Sequence, residues 1–242
     1  MAFVHGKNTI VLMQGFNMSN FLNSVETDFT ADVNETTVFN SSSVKTYLGG
    51  NRDTTISAEG LFSGTTADGQ VDSFVSVVPS SSDVLWSVYP NGTTLGAFGY
   101  GIATLHTEYA ISTPVDDVIS MTLSGQSVSG RERTHSLKSI AADTSNTGVG
   151  TGVDAGVGSS SDAGGGVGYL QKLENTRNLT SATIQHSNNN SSWDALVSFT
   201  ATTGRTAERI AVSGPVKRYT RAIFQRAAST LSGQHQIGFD RK

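Results

Sequence analysis

Five histidines, one aspartate doublet, two glycine-rich runs and one basic, aromatic stretch are the places in this 242-residue chain where chemistry could sit. His5, His106, His135, His186 and His235 lie at least 29 residues apart. None has a ligand neighbour at helical or strand spacing, so a metal site would have to be assembled wholly in three dimensions. Asp116-Asp117 follows Pro114, and such a doublet either takes a cation or is simply solvated at a turn. Serine is abundant, yet no Gly-x-Ser-x-Gly elbow positions a nucleophile. The runs 148-GVGTG-152 and 164-GGGVG-168 lack the Gly-x-Gly-x-x-Gly register, and no Gly-Lys-Ser/Thr follows them, so a phosphate cradle is not indicated. Cysteine is absent, which excludes thiol chemistry and Cys-ligated zinc. No catalytic, cofactor-binding or metal residue is therefore assigned; no cofactor is expected and the chain reads as a non-enzyme.

The basic stretch holds Lys217, Arg218, Tyr219, Arg221, Phe224 and Arg226. As a strand it places Arg218, Thr220, Ala222 and Phe224 on one face and Lys217, Tyr219, Arg221 and Ile223 on the other, dividing its charge. An exposed, solubilising sheet edge is the plain reading, and a surface for an anionic ligand is the other. Trp193, Tyr219 and Tyr169 could alternatively stack sugars.

The elements that would carry these residues are almost all strands. Glycine numbers 26, charged residues make up 15%, and strong helix formers are few. Runs over 9–13, 22–29, 83–89, 98–110 and 118–126 read as strands; Ile119, Met121 and Leu123 alternate with Ser120, Thr122 and Ser124. Val71, Phe74, Val75 and Val78 instead fall on one helical face, with Asp68 as cap and Pro79 as stop. Downstream, 182–186, 196–200, 209–213, 218–224 and 235–239 are short strands with the spacing of a small sandwich or jelly roll.

Composition and charge divide the chain near 144–166. Residues 1–143 carry 6 basic against 14 acidic side chains, net −8, and 144–242 carry 10 against 6, net +4. The Gly/Ser-rich stretch between them resembles a linker, although its recurring valines suit an edge strand. The expected organisation is an N-terminal domain over 1–143, a linker over 144–166 and a C-terminal β-sandwich over 167–242. There is no signal-peptide h-region and no 18-residue apolar span, so synthesis in the cytoplasm and no membrane partner are expected.

The stretch 32-DVNETTVFNSSSVKTYLGGNRDTTISAEGLF-62 is the most informative. Val33 to Phe39 and Thr55 to Leu61 are β-forming runs, and Gly49, Gly50 and Asn51 mark a turn, giving a polar loop over 40–53. The order of threonine-rich strand, aromatic, Lys45-Thr46-Tyr47, Gly49-Gly50, Arg52-Asp53 and Thr-Ile-Ser-Ala-Glu-Gly-Leu-Phe resembles the major tail (tail tube) proteins of long-tailed bacteriophages of the siphophage type. The turn 186-HSNNNSSWDAL-196 and the strand 215-PVKRYTRAIFQ-225 resemble segments of the C-terminal β-sandwich domains that some of those proteins display.

That resemblance implies a mainly β tail-tube fold, a β-sandwich or partial barrel with one flanking helix, followed by a second small sandwich on the outer surface. It also implies a virion structural role: self-association into rings, hexameric in that family, which stack with other tail proteins into the conduit for DNA ejection. DNA would pass without specific binding, because an acidic wall repels phosphate where a basic wall would hold it. A head decoration or head-to-tail connector protein, and a carbohydrate-binding module, remain open readings.

Overall fold

The structure, a computed structural model, describes residues 6–38, 44–62, 83–156, 164–173 and 176–242. These residues form sixteen strands: β1 (Ile10–Met13), β2 (Phe16–Asn17), β3 (Leu22–Glu35), β4 (Tyr47–Leu61), β5 (Val84–Tyr89), β6 (Phe98–Ser112), β7 (Ser120–Ser127), β8 (Glu132–Lys138), β9 (Thr147–Val149), β10 (Val153–Asp154), β11 (Gly166–Lys172), β12 (Leu179–Ser187), β13 (Asp194–Phe199), β14 (Thr206–Val212), β15 (Tyr219–Arg226) and β16 (His235–Arg241). The chain is mainly β and its strand pairs are antiparallel. The helix expected over 68–79 lies outside the described residues, as does Phe39 at the end of its expected strand.

Contacts divide the chain into two compact units. The sandwich unit takes in Met1–Asn20, Val84–Ile102 and Glu132–Lys242, and the hairpin unit takes in Phe21–Asp83 and Ala103–Arg131. This is not the division expected at 144–166. The reason is strand pairing: β8 lies before that stretch and β16 after it, yet Phe239 pairs with His135 and Ile237 with Lys138. Nor is the first half of 144–166 a linker, since β9 and β10 both pair with β15.

In the sandwich unit, one sheet runs in the order β14-β11-β16-β8-β6-β5-β1-β2, with β6 contributing its first residues. A second sheet runs β10-β15-β12-β13, with β9 also on β15. Period-2 alternation aims Ala182 and Ile184 of β12, Val197 and Phe199 of β13, and Ala222 and Phe224 of β15 inward. They meet Leu137, Leu170, Ile237 and Phe239 from the first sheet in one buried core. Gly168 sits between the layers because a Cβ there would come within 3.1 Å of Ile184, Phe199 and Val197.

The hairpin unit is simpler. β3 and β4 form a long antiparallel hairpin, β4 pairs onward with β7 through Thr55↔Gln126 to Leu61↔Ser120, and β7 pairs with the later part of β6. The loop expected over 40–53 is shorter than its polar composition suggests, because β4 already begins at Tyr47. Gly49 and Gly50 do not turn the chain. They lie in the ladder opposite a bulge between Ala31 and Val33, where a Cβ on Gly50 would fall 2.9 Å from that of Asp32.

Candidate assembly surface

The two faces of the hairpin unit's sheet differ completely. One is buried and mainly apolar: Ile56, Ala58, Met121 and Leu123 are buried together with Thr54 and His106, and Val25, Thr27 and Phe29 are half-buried beside them. Arg131 lies 4.5 Å over the Phe29 ring, sheltering its exposed side. Burial also lowers the His106 pKa to about 4, so this imidazole is neutral at pH 7.

The opposite face follows from the register. Glu26, Ser57, Ser124 and Glu108 lie in one row across β3, β4, β7 and β6; Asp28, Thr55 and Gln126 form the next, and Ser24, Glu59, Thr122 and Ala110 another. With Asp53 opposite Thr30, the strands present five carboxylates on this face, set among Ser, Thr and Gln with Leu61 and Leu105 also exposed there, and no Lys or Arg. Ser124 Oγ donates to Glu108 at 3.3 Å, and the Gln126 amide donates to Asp53. The unit as a whole holds 12 acidic and 3 basic residues, net −9, and the sandwich unit holds 8 and 13, net +5. The chain's acidity is therefore concentrated in the hairpin unit.

Beyond Ala31 and Asp53 the β3–β4 hairpin leaves the sheet as a two-stranded arm exposed on both faces. Thr36 and Thr46 continue the pairing through a backbone bond of 2.8 Å and a hydroxyl pair at 3.2 Å, and Lys45 pairs with Glu35 at 3.0 Å. Val33, Val44, Tyr47 and Leu48 are exposed on this arm. Among the described residues β3 pairs only with β4, so its outer edge presents a row of backbone donors and acceptors over 14 residues.

None of the described residues singled out from the sequence for chemistry lies on the acidic face, and the described histidines are divided between the two units. His106 is in the hairpin unit; His135, His186 and His235 are in the sandwich unit, and His5 lies outside the described residues. No group of three or more His, Asp or Glu converges among the described residues as a metal would require. Asp116 and Asp117 are exposed in the connection from β6 to β7, where Asp117 accepts the Val118 N–H at 2.7 Å.

The basic strand is not the sheet edge it was expected to be, because β12 flanks it on one side and β9 and β10 on the other. Its charges are taken up within the chain. Lys217 pairs with Asp194, Arg218 holds Asp154 through two bonds of 2.8 and 2.7 Å, and Arg221 lies 4.1 Å over the Trp193 ring. Arg226 is buried and grips Asp143, which Lys138 also meets at 3.0 Å, and it donates to His235 Nδ1 at 2.8 Å. Tyr169 offers no ring to a sugar: it is fully buried, and its hydroxyl donates to Glu132.

Glu132 escaped the sequence reading. This fully buried carboxylate receives Arg209 through Nε at 2.8 Å and through a second guanidinium nitrogen at 2.5 Å, and Lys242 Nζ approaches at 3.2 Å. Burial alone would raise its pKa; the hydrogen bonds from Arg209 and Tyr169 outweigh that and hold it below the usual carboxylate range. Full pairing makes it a structural group.

No family model and no curated protein matches the chain. Among solved structures, similarity is found to a chain of the native gene transfer agent virion, at 17% identity and a TM-score of 0.42, covering 54% of this chain and 98% of that one. The SPP1 Dit protein, a paradigm of the hub adsorption apparatus in phages that infect Gram-positive bacteria, matches at 9% identity and a TM-score of 0.36, covering 96% of this chain and 98% of that one. A chain of the phage P2 baseplate matches at 10% identity and 0.36, covering 97% and 98%. The structural neighbours are thus tail, hub and baseplate components of phage-like particles. Their TM-scores lie below the level of a shared fold, and the chain's own geometry bears the functional reading.

Proposed function

We propose that the chain is a virion structural protein that assembles into the tail tube of a long-tailed phage, with the acidic face of its hairpin unit lining the bore. The observation that carries this reading is the division of that sheet: one face buried and apolar, the other open, acidic and without a base. A catalytic surface brings unlike groups together at one point, whereas this surface repeats the same chemistry across four strands.

Strand geometry sets a lower limit on the number of copies. Strands spaced about 4.8 Å apart and tilted about 40° close a 24-stranded barrel roughly 48 Å across at the backbone. With about 10 Å taken by side chains, six copies of a four-stranded sheet leave a bore of roughly 38 Å, wide enough for a duplex about 20 Å across. Three copies would leave roughly 14 Å, too narrow for DNA. Six copies, the number in the family that the sequence resembles, fit this lower limit, and the proposed ring closes laterally through the β3 edge so that no long strand edge stays exposed. Successive rings stack through a heterologous contact that propagates without closing.

An acidic bore repels phosphate, so DNA passes without being held. The test replaces Glu26, Glu59 and Glu108 with Lys and compares DNA ejection from virions at two salt concentrations. Assembly is expected to persist, since the changes are exposed, while ejection slows most at low salt because each new phosphate contact releases about one counterion. Ejection equal to that of the unaltered virion at both salts would overturn the conduit reading.

A further inference from the structure

We propose that Asn91 is a site of spontaneous covalent modification, at which the Gly92 backbone nitrogen displaces the Asn91 side-chain amide and leaves aspartate or isoaspartate in the turn after β5. Asn91-Gly92 is the one Asn-Gly pair in the chain. The pairing matters because the nitrogen of the following residue is the nucleophile, and glycine alone places no side chain in its path. The turn runs from Tyr89 to Gly92, and the Gly92 N–H closes it on the Tyr89 carbonyl at 3.3 Å, a long hydrogen bond. Pro90 and Asn91 are exposed at its tip. Gly92 has a φ of 77°, and a Cβ there would meet nothing nearer than the Asn8 carbonyl at 3.8 Å, so the nitrogen is open to approach.

The reaction needs only water. Hydroxide takes the Gly92 amide proton, the nitrogen attacks Asn91 Cγ, and the Cγ–Nδ2 bond breaks as ammonia leaves with a proton from water. Water then opens the cyclic imide at either carbonyl, giving aspartate or isoaspartate, whose backbone is longer by a carbon. Other asparagines are held back through Oδ1: Asn17 accepts the Ser19 N–H at 3.1 Å, Asn146 accepts from Arg177, and Asn189 accepts the Ser191 and Ser192 N–H groups at 3.0 and 2.9 Å. Both sides of the Asn91 turn are fixed. The Pro90 carbonyl accepts the Thr9 hydroxyl at 3.3 Å; the carbonyl of buried Thr93 accepts Ser136 Oγ at 2.8 Å, and the Thr93 hydroxyl accepts the Ile140 N–H at 3.2 Å and meets Ser139 Oγ at 3.1 Å. A longer backbone between these two clamps loosens one of them, whereas aspartate keeps the path and adds a charge. All these residues belong to the sandwich unit, so the inference does not depend on the tube reading.

The test ages the full chain at neutral and mildly alkaline pH, then maps its peptides by mass spectrometry, with an isoaspartate-specific methyltransferase marking the longer product. Asn91 is expected to convert before any other asparagine, and faster at the higher pH. Asn91→Gln should lose the methyltransferase signal of that peptide. The same chain unfolded in urea is the reference: unfolding should speed Asn17, Asn146 and Asn189 by a larger factor than Asn91. An Asn91 that stays intact in the folded chain after the unfolded chain has converted would overturn the proposal, as would another asparagine converting first. Stability tests the consequence: the urea midpoint of aged chain should fall as its isoaspartate fraction rises, while Asn91→Asp keeps the parent midpoint. A midpoint unmoved by isoaspartate would contradict the clamped turn.

Discussion

At the scale of single residues, buried charge is the feature hardest to read from sequence. Glu132 looks like one more polar residue in 131-RERTHSLK-138, yet it is the most buried carboxylate described, and Arg209 and Tyr169, which satisfy it, are 77 and 37 positions away. Truncating Glu132 to Ala leaves the Arg209 guanidinium half-buried without its partner and is expected to cost about 3 kcal/mol by urea unfolding. A change near zero would show the pair to be dispensable. Acid sensitivity follows from the histidines. Burial lowers all four described ones, His106 to about 4 and His235 well below its usual value, and the Arg226 charge adds to the effect at His235. The folded imidazoles stay neutral while the unfolded chain takes up protons below about pH 6.5, so stability falls as pH drops from about 6.5 toward 4. Asp143 extends the loss. Partial burial opposes its ionisation, but Arg226 and Lys138 outweigh that and hold its pKa near 2, so its contribution disappears between about pH 4 and 2. Urea midpoints at pH 7, 5.5 and 4.5 should decline in that order, and His106→Gln should flatten the decline; a flat profile in the parent chain would contradict the assignment.

At the scale of elements, what the sequence showed well was alternation. Ile119, Met121 and Leu123 mark β7, and the inward and outward parity of β15 was legible residue by residue, because one face of each strand is apolar. What it concealed was any strand whose inward residues are polar. β8 buries Glu132, Thr134 and Ser136, and the side chains that satisfy Glu132 and Thr134 lie on β5, β11 and β14, so no local pattern announces it. The Gly49-Gly50 pair misled for a different reason: glycine serves a turn and a bulge alike, and only the register tells them apart. The acidic face was visible as a net charge but not as a surface, since it exists only once four strands are aligned. Hydrogen exchange tests the arm: amides of 44–53 should exchange fast in the monomer and become protected on assembly, with no change in β12 or β15. Equal protection of 44–53 in both states would mean that the arm is held within its own chain. Close approaches give a further test. A Cβ on Gly101 would fall 2.4 Å from the buried Tyr169 ring, so Gly101→Ala should cost about 1–3 kcal/mol by forced repacking, against a negligible change for Gly204→Ala, which meets nothing.

At the scale of the whole molecule, composition suggested two domains in series, and strand pairing shows a nested arrangement. The sandwich unit begins before the hairpin unit and ends after it, so it receives strands from both ends of the chain. A chain stopped at Thr144 loses β11, β14 and β16 from one sheet and the whole of the other, and it exposes Leu137 and Tyr89. It is expected to be insoluble; a soluble, folded fragment on size exclusion and circular dichroism would contradict the nesting. The nested arrangement also segregates charge, with a hairpin unit at net −9 and a sandwich unit at net +5. In the proposed tube that segregation would give the bore a chemistry distinct from that of the outer surface. The most direct test of the account is electron microscopy of the purified chain at increasing concentration. The account predicts hollow tubes of stacked sixfold rings with a bore of roughly 38 Å, from six four-stranded sheets closing one barrel. Particles that remain monomeric, or rings whose bore is too narrow for a duplex, would contradict it.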